Sequence, residues 1–308
     1  MKQMEITFWG VRGSIPCPGP QTMRYGGNTA CLELYLPTLH RRVIIDAGSG
    51  IRELAKKLLA EDLPRGPLRT EIYLSHTHWD HIMGFPFFIP AYIPGTEIKV
   101  FGPVTYELEP LDEVVGGQMR YRYFPVNMGE LAAKIEYIRL REDPCIELGD
   151  GLVVATKILN HPITALGYRF SYGGRSFCTV YDHEPFRNLF VTDPQDPAYD
   201  EDMATEGEFA AQDQNRAMEE FFAGVDLLVH DAQYTLDEYR HGKLGWGHCP
   251  IEDVITAAER AGVRRLALFH HDPDRSDDEL DALADRYCGV SPSGMQIFFA
   301  RERMKISL

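Results

Sequence analysis

The chain has 308 residues, 44% hydrophobic and 25% charged, an ordinary globular composition sufficient for one large or two small domains. Its 46 acidic against 31 basic residues leave a formal net charge of −15, which argues against long nucleic acid as a partner, because phosphate contacts need a local excess of Lys and Arg. No apolar run reaches the roughly 20 residues of a membrane span, the six scattered cysteines fit neither a disulfide framework nor a Cys-based zinc site, and the N-terminus lacks the pattern of a secretory leader.

In chain order, β-rich runs at 6–9, 30–36 and 42–45 predict strands, and 51–59 predicts a helix. Another strand-length run follows at 71–74, and the Pro- and aromatic-rich stretch 86–103 reads as loop with one strand at 97–101. A second set of strands is expected at 134–140, 152–159, 165–172 and 176–181, with Tyr172-Gly173-Gly174-Arg175 as a hairpin turn. The acidic stretch 186–208 reads as a surface excursion. Amphipathic spacing predicts helices at 211–222 and 251–261 bracketing a strand at 227–229, then a strand at 266–269, a helix at 277–287 and a last strand at 296–300. Strands early and helices late in each half suit two sheets packed face to face with helices outside. No linker divides the chain, so the expectation is a single domain over 1–308 in the reducing cytoplasm.

Four apolar runs each end in a residue able to bind metal: 43–45 at Asp46, 72–75 at His76, 177–181 at Asp182 and 266–269 at His270. Strand ends on a rigid sheet hold ligands in fixed geometry, and Asp or His there does not continue a core pattern. The densest signal is Ser75-His76-Thr77-His78-Trp79-Asp80-His81. Neutral imidazole and carboxylate are the preferred donors for zinc and similar divalent ions. Crowding so many ionisable groups without a metal is costly if they are buried.

This cluster resembles the signature of the metallo-β-lactamase superfamily, and the resemblance runs in order along nearly the whole chain. It implies a four-layer αββα sandwich. It also implies two divalent ions: zinc, with manganese or iron also compatible with the donors. One ion would be held by His76, His78 and His161, the second by Asp80, His81 and His270, with Asp182 shared. Asp46, in Ile45-Asp46-Ala47-Gly48, would orient the cluster. A finer likeness points to the phosphodiesterase branch, which includes ribonuclease Z and the cyclic phosphodiesterase of phosphonate metabolism. It is carried by Gly26-Gly27-Asn28, Val229-His230-Asp231-Ala232, Gly247-His248-Cys249 and the opening Phe8-Trp9-Gly10-Val11-Arg12-Gly13-Ser14. Asp231 stands where the branch has Glu, and Cys249 where it has Ser. By that likeness His248, oriented by Asp231, contacts the scissile phosphate and acts as general acid. Asp80 helps orient the attacking hydroxide shared by the two ions. The expected substrate is a small or cyclic phosphodiester; a lactone or thioester cleaved by the same metals, and a non-catalytic metal sensor, are the competing readings.

Other residues carry weaker signals. His183, beside Asp182, is expected to orient a ligand by a hydrogen bond, and His230 to be a satisfied buried histidine. His270 and His271 compete, because successive strand residues face opposite sides, and the choice of His270 rests on the resemblance. His40 and His241 read as surface residues. Arg120, Tyr121, Arg122 and Tyr123 suit either a phosphate- and base-recognition patch or a basic edge strand with its aromatics packed inward. Phe85, Phe87 and Phe88 suit a pocket mouth or core. The apolar stretch 85–92 is a candidate homodimer contact or lid. Cys249 is not taken as a nucleophile, because a metal site already supplies one.

Overall fold

The uninterrupted apolar runs become strands covered on both faces. In the computed structural model, which describes residues 3–105 and 109–308, the first part of the chain forms β1 (Glu5–Gly10), β2 (Cys31–Leu36), β3 (Arg41–Ile45), α1 (Ile51–Glu61), β4 (Arg69–Tyr73), α2 (Trp79–Ile82), β5 (Glu97–Pro103), α3 (Leu111–Gly117) and β6 (Lys134–Leu140). The second part forms β7 (Asp143–Glu147), β8 (Val153–Leu159), β9 (Ala165–Tyr172), β10 (Arg175–Val180), α4 (Glu201–Phe221), β11 (Leu227–Asp231), α5 (Leu236–Arg240), α6 (Ile251–Arg260), β12 (Arg265–Phe269), α7 (Asp277–Tyr287), β13 (Gly289–Val290), β14 (Gln296–Phe299) and β15 (Lys305–Ser307). One sheet runs β15-β1-β2-β3-β4-β5-β6 and the other β13-β14-β12-β11-β10-β9-β8-β7.

Side-chain alternation along the strands explains the layers. Val43, Ile45, Phe177, Val229 and Phe269 join a central core with Phe8, Tyr73 and Tyr168 between the two sheets. The intervening Ile44 and Ile72 face outward onto Leu54 and Leu58 of α1. On the far side Leu228, Leu266 and Leu268 meet Met218, Val254, Ala258 and Leu280 from α4, α6 and α7. Three apolar layers between four structural ones make the expected αββα sandwich. At the expected hairpin, Tyr172 pairs with Arg175 across Gly173 and Gly174, at φ 61° and 80°, values an L side chain adopts only with strain.

The strands that matter for the site run parallel in each sheet: β3 with β4, and β10 with β11 and β12. Their carboxyl ends therefore open on the same edge, where open α/β sheets place their ligands.

Three expectations need correction. The helix expected at 211–222 is longer, because α4 starts at Glu201, ten residues ahead, within the surface stretch 186–208. The Asp200 carboxylate caps it by accepting from Met203 N, and Glu201 and Asp202 suit its first turn. The short edge strands β7, β13 and β15 were not anticipated. Residues 120–123 form a turn with Tyr121 and Tyr123 exposed, not an edge strand with its aromatics inward. Among the described residues, no helix is long and apolar enough to cross a membrane.

Candidate metal centre

Asp46 directly follows β3, His76 lies just past β4, Asp182 just past β10, Asp231 ends β11 and His270 directly follows β12. Asp46, Asp182 and His270 adopt φ 61°, 42° and 62°. A left-handed conformation at a residue other than Gly costs on the order of 1–3 kcal/mol and clusters at functional sites. Here it turns each strand sharply away while its side chain stays aimed into the cleft.

The side chains form two donor sets around one carboxylate. Asp182 Oδ2 lies 3.4 Å from His76 Nε2 and 3.7 Å from His161 Nε2, and His161 Nε2 is 3.1 Å from His78 Nδ1. Asp182 Oδ1 lies 3.2 Å from both His81 Nε2 and His270 Nε2. Those two nitrogens are 3.3 Å apart, and Asp80 Oδ2 is 3.3 Å from the first and 3.2 Å from the second. Zinc bonds of about 2.0–2.1 Å at tetrahedral angles separate donors by about 3.3 Å. The spacing of each set therefore fits one divalent ion, with Asp182 presenting a different oxygen to each.

The opposite ring nitrogens are fixed by acceptors. His81 Nδ1 donates to Asp46 Oδ2 at 2.6 Å, His161 Nδ1 to the Gly247 carbonyl at 3.1 Å, and His270 Nδ1 to Gln233 Oε1 at 3.2 Å. Ser75 Oγ donates to Asp46 Oδ2 at 2.7 Å and so accepts from His76 Nδ1 at 3.0 Å. Each of these rings thereby holds its proton on Nδ1 and turns the Nε2 lone pair into the site, as metal-binding histidines require. The Ser14 backbone N donates to Asp80 Oδ2 at 2.7 Å.

Two further observations fit a cation. His76 Nε2 and Asp182 Oδ1 are buried polar atoms without a hydrogen bond, a state costing about 1–3 kcal/mol apiece unless something meets them. Burial opposes a charge on His81, yet Asp182, Asp80 and Asp46 together raise its pKa well above the usual value. Three carboxylates around one imidazole make a place that favours positive charge. Burial instead pushes His76 well down, and His161 down to about 4, leaving both neutral as donors.

Beside this centre His248 Nδ1 donates to Asp231 Oδ2 at 2.8 Å, so the side chain one methylene shorter than Glu still reaches. Asp231 also accepts from Gln233 N at 3.2 Å and, at 3.4 Å, from the backbone N of His183 and Cys249. Burial works against a charge on His248, but Asp231, then Asp182 and Asp80, push its pKa up to about 9. His183 faces away from the donor sets and its Nδ1 accepts from Asn160 N at 3.1 Å, bracing the backbone that carries His161. His230 is buried with Nδ1 donating to the Asp231 carbonyl, and His271 turns to the Ala300 carbonyl, leaving His270 as the one that enters the site. Burial raises the Cys249 thiol well above its usual range, which keeps it protonated. His40 and His241 are exposed.

Supporting residues that carried no sequence assignment also emerge. Glu184 accepts from Tyr239 Oη at 2.5 Å, Gly245 N at 2.8 Å and Gly247 N at 2.9 Å, fixing the loop before His248. A Cβ on Gly13 would stand 2.4 Å from the His270 ring, and one on Gly247 would stand 2.3 Å from His161 Nδ1. Buried Arg12 ties down the site's edge by donating to the Gly26, Asp272 and Arg275 carbonyls. Asn28 is held by Glu302 and Ser49. Gly13, Arg12 and Gly247 stand in the stretches that carried the resemblance; nothing in the sequence pointed to Gln233. Phe85 and Phe88 join the core, while Phe87 stays half exposed against Phe124.

No protein-family model matches the chain. Ribonuclease Z of Staphylococcus aureus is 26% identical over 299 aligned positions, which span 87% of this chain and 88% of that one. The metallo-β-lactamase fold protein YhfI of Bacillus subtilis superposes with a TM-score of 0.64 at 15% identity, over 99% of both chains. The chain has the metallo-β-lactamase fold. A second solved structure, a diphosphatase of the PhnP family, has a TM-score of 0.59 at 17% identity, over 98% of this chain and 97% of that one.

Proposed function

We propose that the chain is a metal-dependent phosphodiesterase that uses two divalent ions, zinc being the first candidate, on a small or cyclic phosphodiester. The observation that carries this reading is the shared Asp182, whose two oxygens face separate His-rich donor sets beside the His248–Asp231 pair. His76, His78 and His161 would hold one ion and Asp80, His81 and His270 the other, with Asp182 common to both. When bound, such ions polarise phosphoryl oxygens and lower the pKa of a water toward about 7.

The chain's own groups do the rest. Asp231 fixes the His248 tautomer, so Nε2 faces the cleft and, when protonated, donates to the departing oxygen. Asp80 turns Oδ2 to Ser14, His81 and His270, which leaves Oδ1 to orient a water. Asp46 and His183 act through the residues they brace. Phosphorus chemistry is supported by the likeness to a ribonuclease and a diphosphatase.

The same likeness returns RNA to the substrates that the acidic composition had set aside, and it favours RNA as the second reading. The test is turnover of bis-p-nitrophenyl phosphate, a 2′,3′-cyclic nucleotide, a short RNA and p-nitrophenyl acetate by metal-loaded protein. Preference for the first two supports the proposal, and preference for RNA moves the substrate to the second reading. Cleavage of the acetate alone would replace both with acyl hydrolysis. Metal binding without turnover of any of the four would make the site a sensor.

A further inference from the structure

We propose that Arg187 forms an anion subsite beside the metal centre for a second phosphate on a nucleotide diester. This rests on the phosphodiesterase reading above. A cavity of about 230 Å³ is lined by His161, Glu184, Phe186, Arg187, Leu189 and Gly247, so it shares His161 with the first donor set. Arg187 begins the excursion, and its Nη2 lies 3.6 Å from where a Cβ on Gly245 would stand. Gly245, at φ +82°, turns the loop that leads to His248 beside this guanidinium.

Arg187 acts on Tyr239 through space alone. Among the described residues it makes no hydrogen bond or ion pair, although it lies in a chain of net charge −15. The carboxylate nearest in sequence, Glu184, is buried and committed to Tyr239, Gly245 and Gly247. Arginine presents a planar fork of donors matched to phosphate oxygens. The two metal sets serve the phosphate that is cleaved, and Arg187, lining the cavity that His161 also lines, serves the next one. The apolar side chains of Phe186 and Leu189 flank it, and Trp246 stands 54% exposed nearby with Lys243 Nζ 4.0 Å over its ring. An exposed aromatic paired with a cation suits a base and its phosphate.

The test compares the p-nitrophenyl ester of thymidine 5′-phosphate with the same ester carrying a 3′-phosphate, on native protein, Arg187→Gln and Arg187→Lys. The native protein is expected to show a lower KM for the 3′-phosphorylated ester. Arg187→Gln raises that KM roughly tenfold to a hundredfold, the range for losing a charge-assisted hydrogen bond. Its kcat, its KM for the plain ester and its metal content stay near native, and Arg187→Lys restores much of the loss. Equal effects on both esters, or no change in KM for the phosphorylated one, overturn the subsite while leaving the diesterase reading intact. Failure of metal-loaded native protein to cleave either ester overturns both.

Discussion

Asp46 Oδ2 stands 2.6 Å from Nδ1 of His81, and both side chains are fully buried. The carboxylate also accepts from Ser75 N and Oγ, so one residue at the end of β3 braces the histidine of one donor set and, through Ser75, that of the other.

Asp46→Asn is therefore expected to weaken metal binding roughly 10- to 100-fold, the usual effect of losing a partner that orients a metal ligand. Metal content after dialysis against a graded chelator, with the melting temperature alongside, checks this. Native metal retention in the variant would show that the brace is dispensable.

Stripping the metal leaves His76 Nε2 and Asp182 Oδ1 unmet and three carboxylates crowded at His81. The melting temperature is expected to fall on chelation and recover on adding zinc. Free ion at about 1,000 times Kd stabilises by roughly 4 kcal/mol per site. A calorimetric transition that does not move with chelator would contradict occupancy of the folded state.

Gly247→Ala places a Cβ 2.3 Å from His161 Nδ1 at φ +83°. It should lower kcat/KM by about 100-fold through displacement of His161, since an ångström of misplacement costs about that much. Gly149→Ala is the control, because it has the same φ of +83° with nothing within 4 Å. Equal loss of activity in both would assign the effect to backbone strain alone.

His248 is held protonated up to a pKa of about 9, with burial opposing and Asp231 the leading charge that raises it. A general acid works in its protonated form, so kcat should be flat below that value and fall as pH rises through it. Asp80 and Asp182 lose much of their pull when they serve a metal, which leaves Asp231 as the lasting support. Asp231→Asn should therefore move the alkaline limb to lower pH and reduce kcat, as a pH–rate profile would record. An unmoved limb would separate His248 from the proton transfer.

The places of Asp46, His76, Asp182 and His270 were legible because each interrupts an apolar run where a doubly covered strand leaves the core. The His76–His81 string was legible from density alone, and the hairpin at Gly173-Gly174 from its turn chemistry. Gln233 was not, because it reaches His270 from a different strand end and no local pattern marks it. The left-handed backbone at Asp46, Asp182 and His270 was equally hidden, since non-glycine residues give no sign of it in sequence. Of the two readings of 120–123, the edge strand failed because alternating Arg and Tyr imitates a strand. The edge strands β13 and β15 are too short, at two and three residues, to show a period.

The most direct test of the central claim is metal content by elemental analysis together with hydrolysis of bis-p-nitrophenyl phosphate, for the native chain and for His248→Ala. The account predicts about two ions per chain in both proteins, the stoichiometry of two-metal hydrolases, with turnover that falls sharply in the variant. Folded native protein that binds no metal would contradict the account at its foundation.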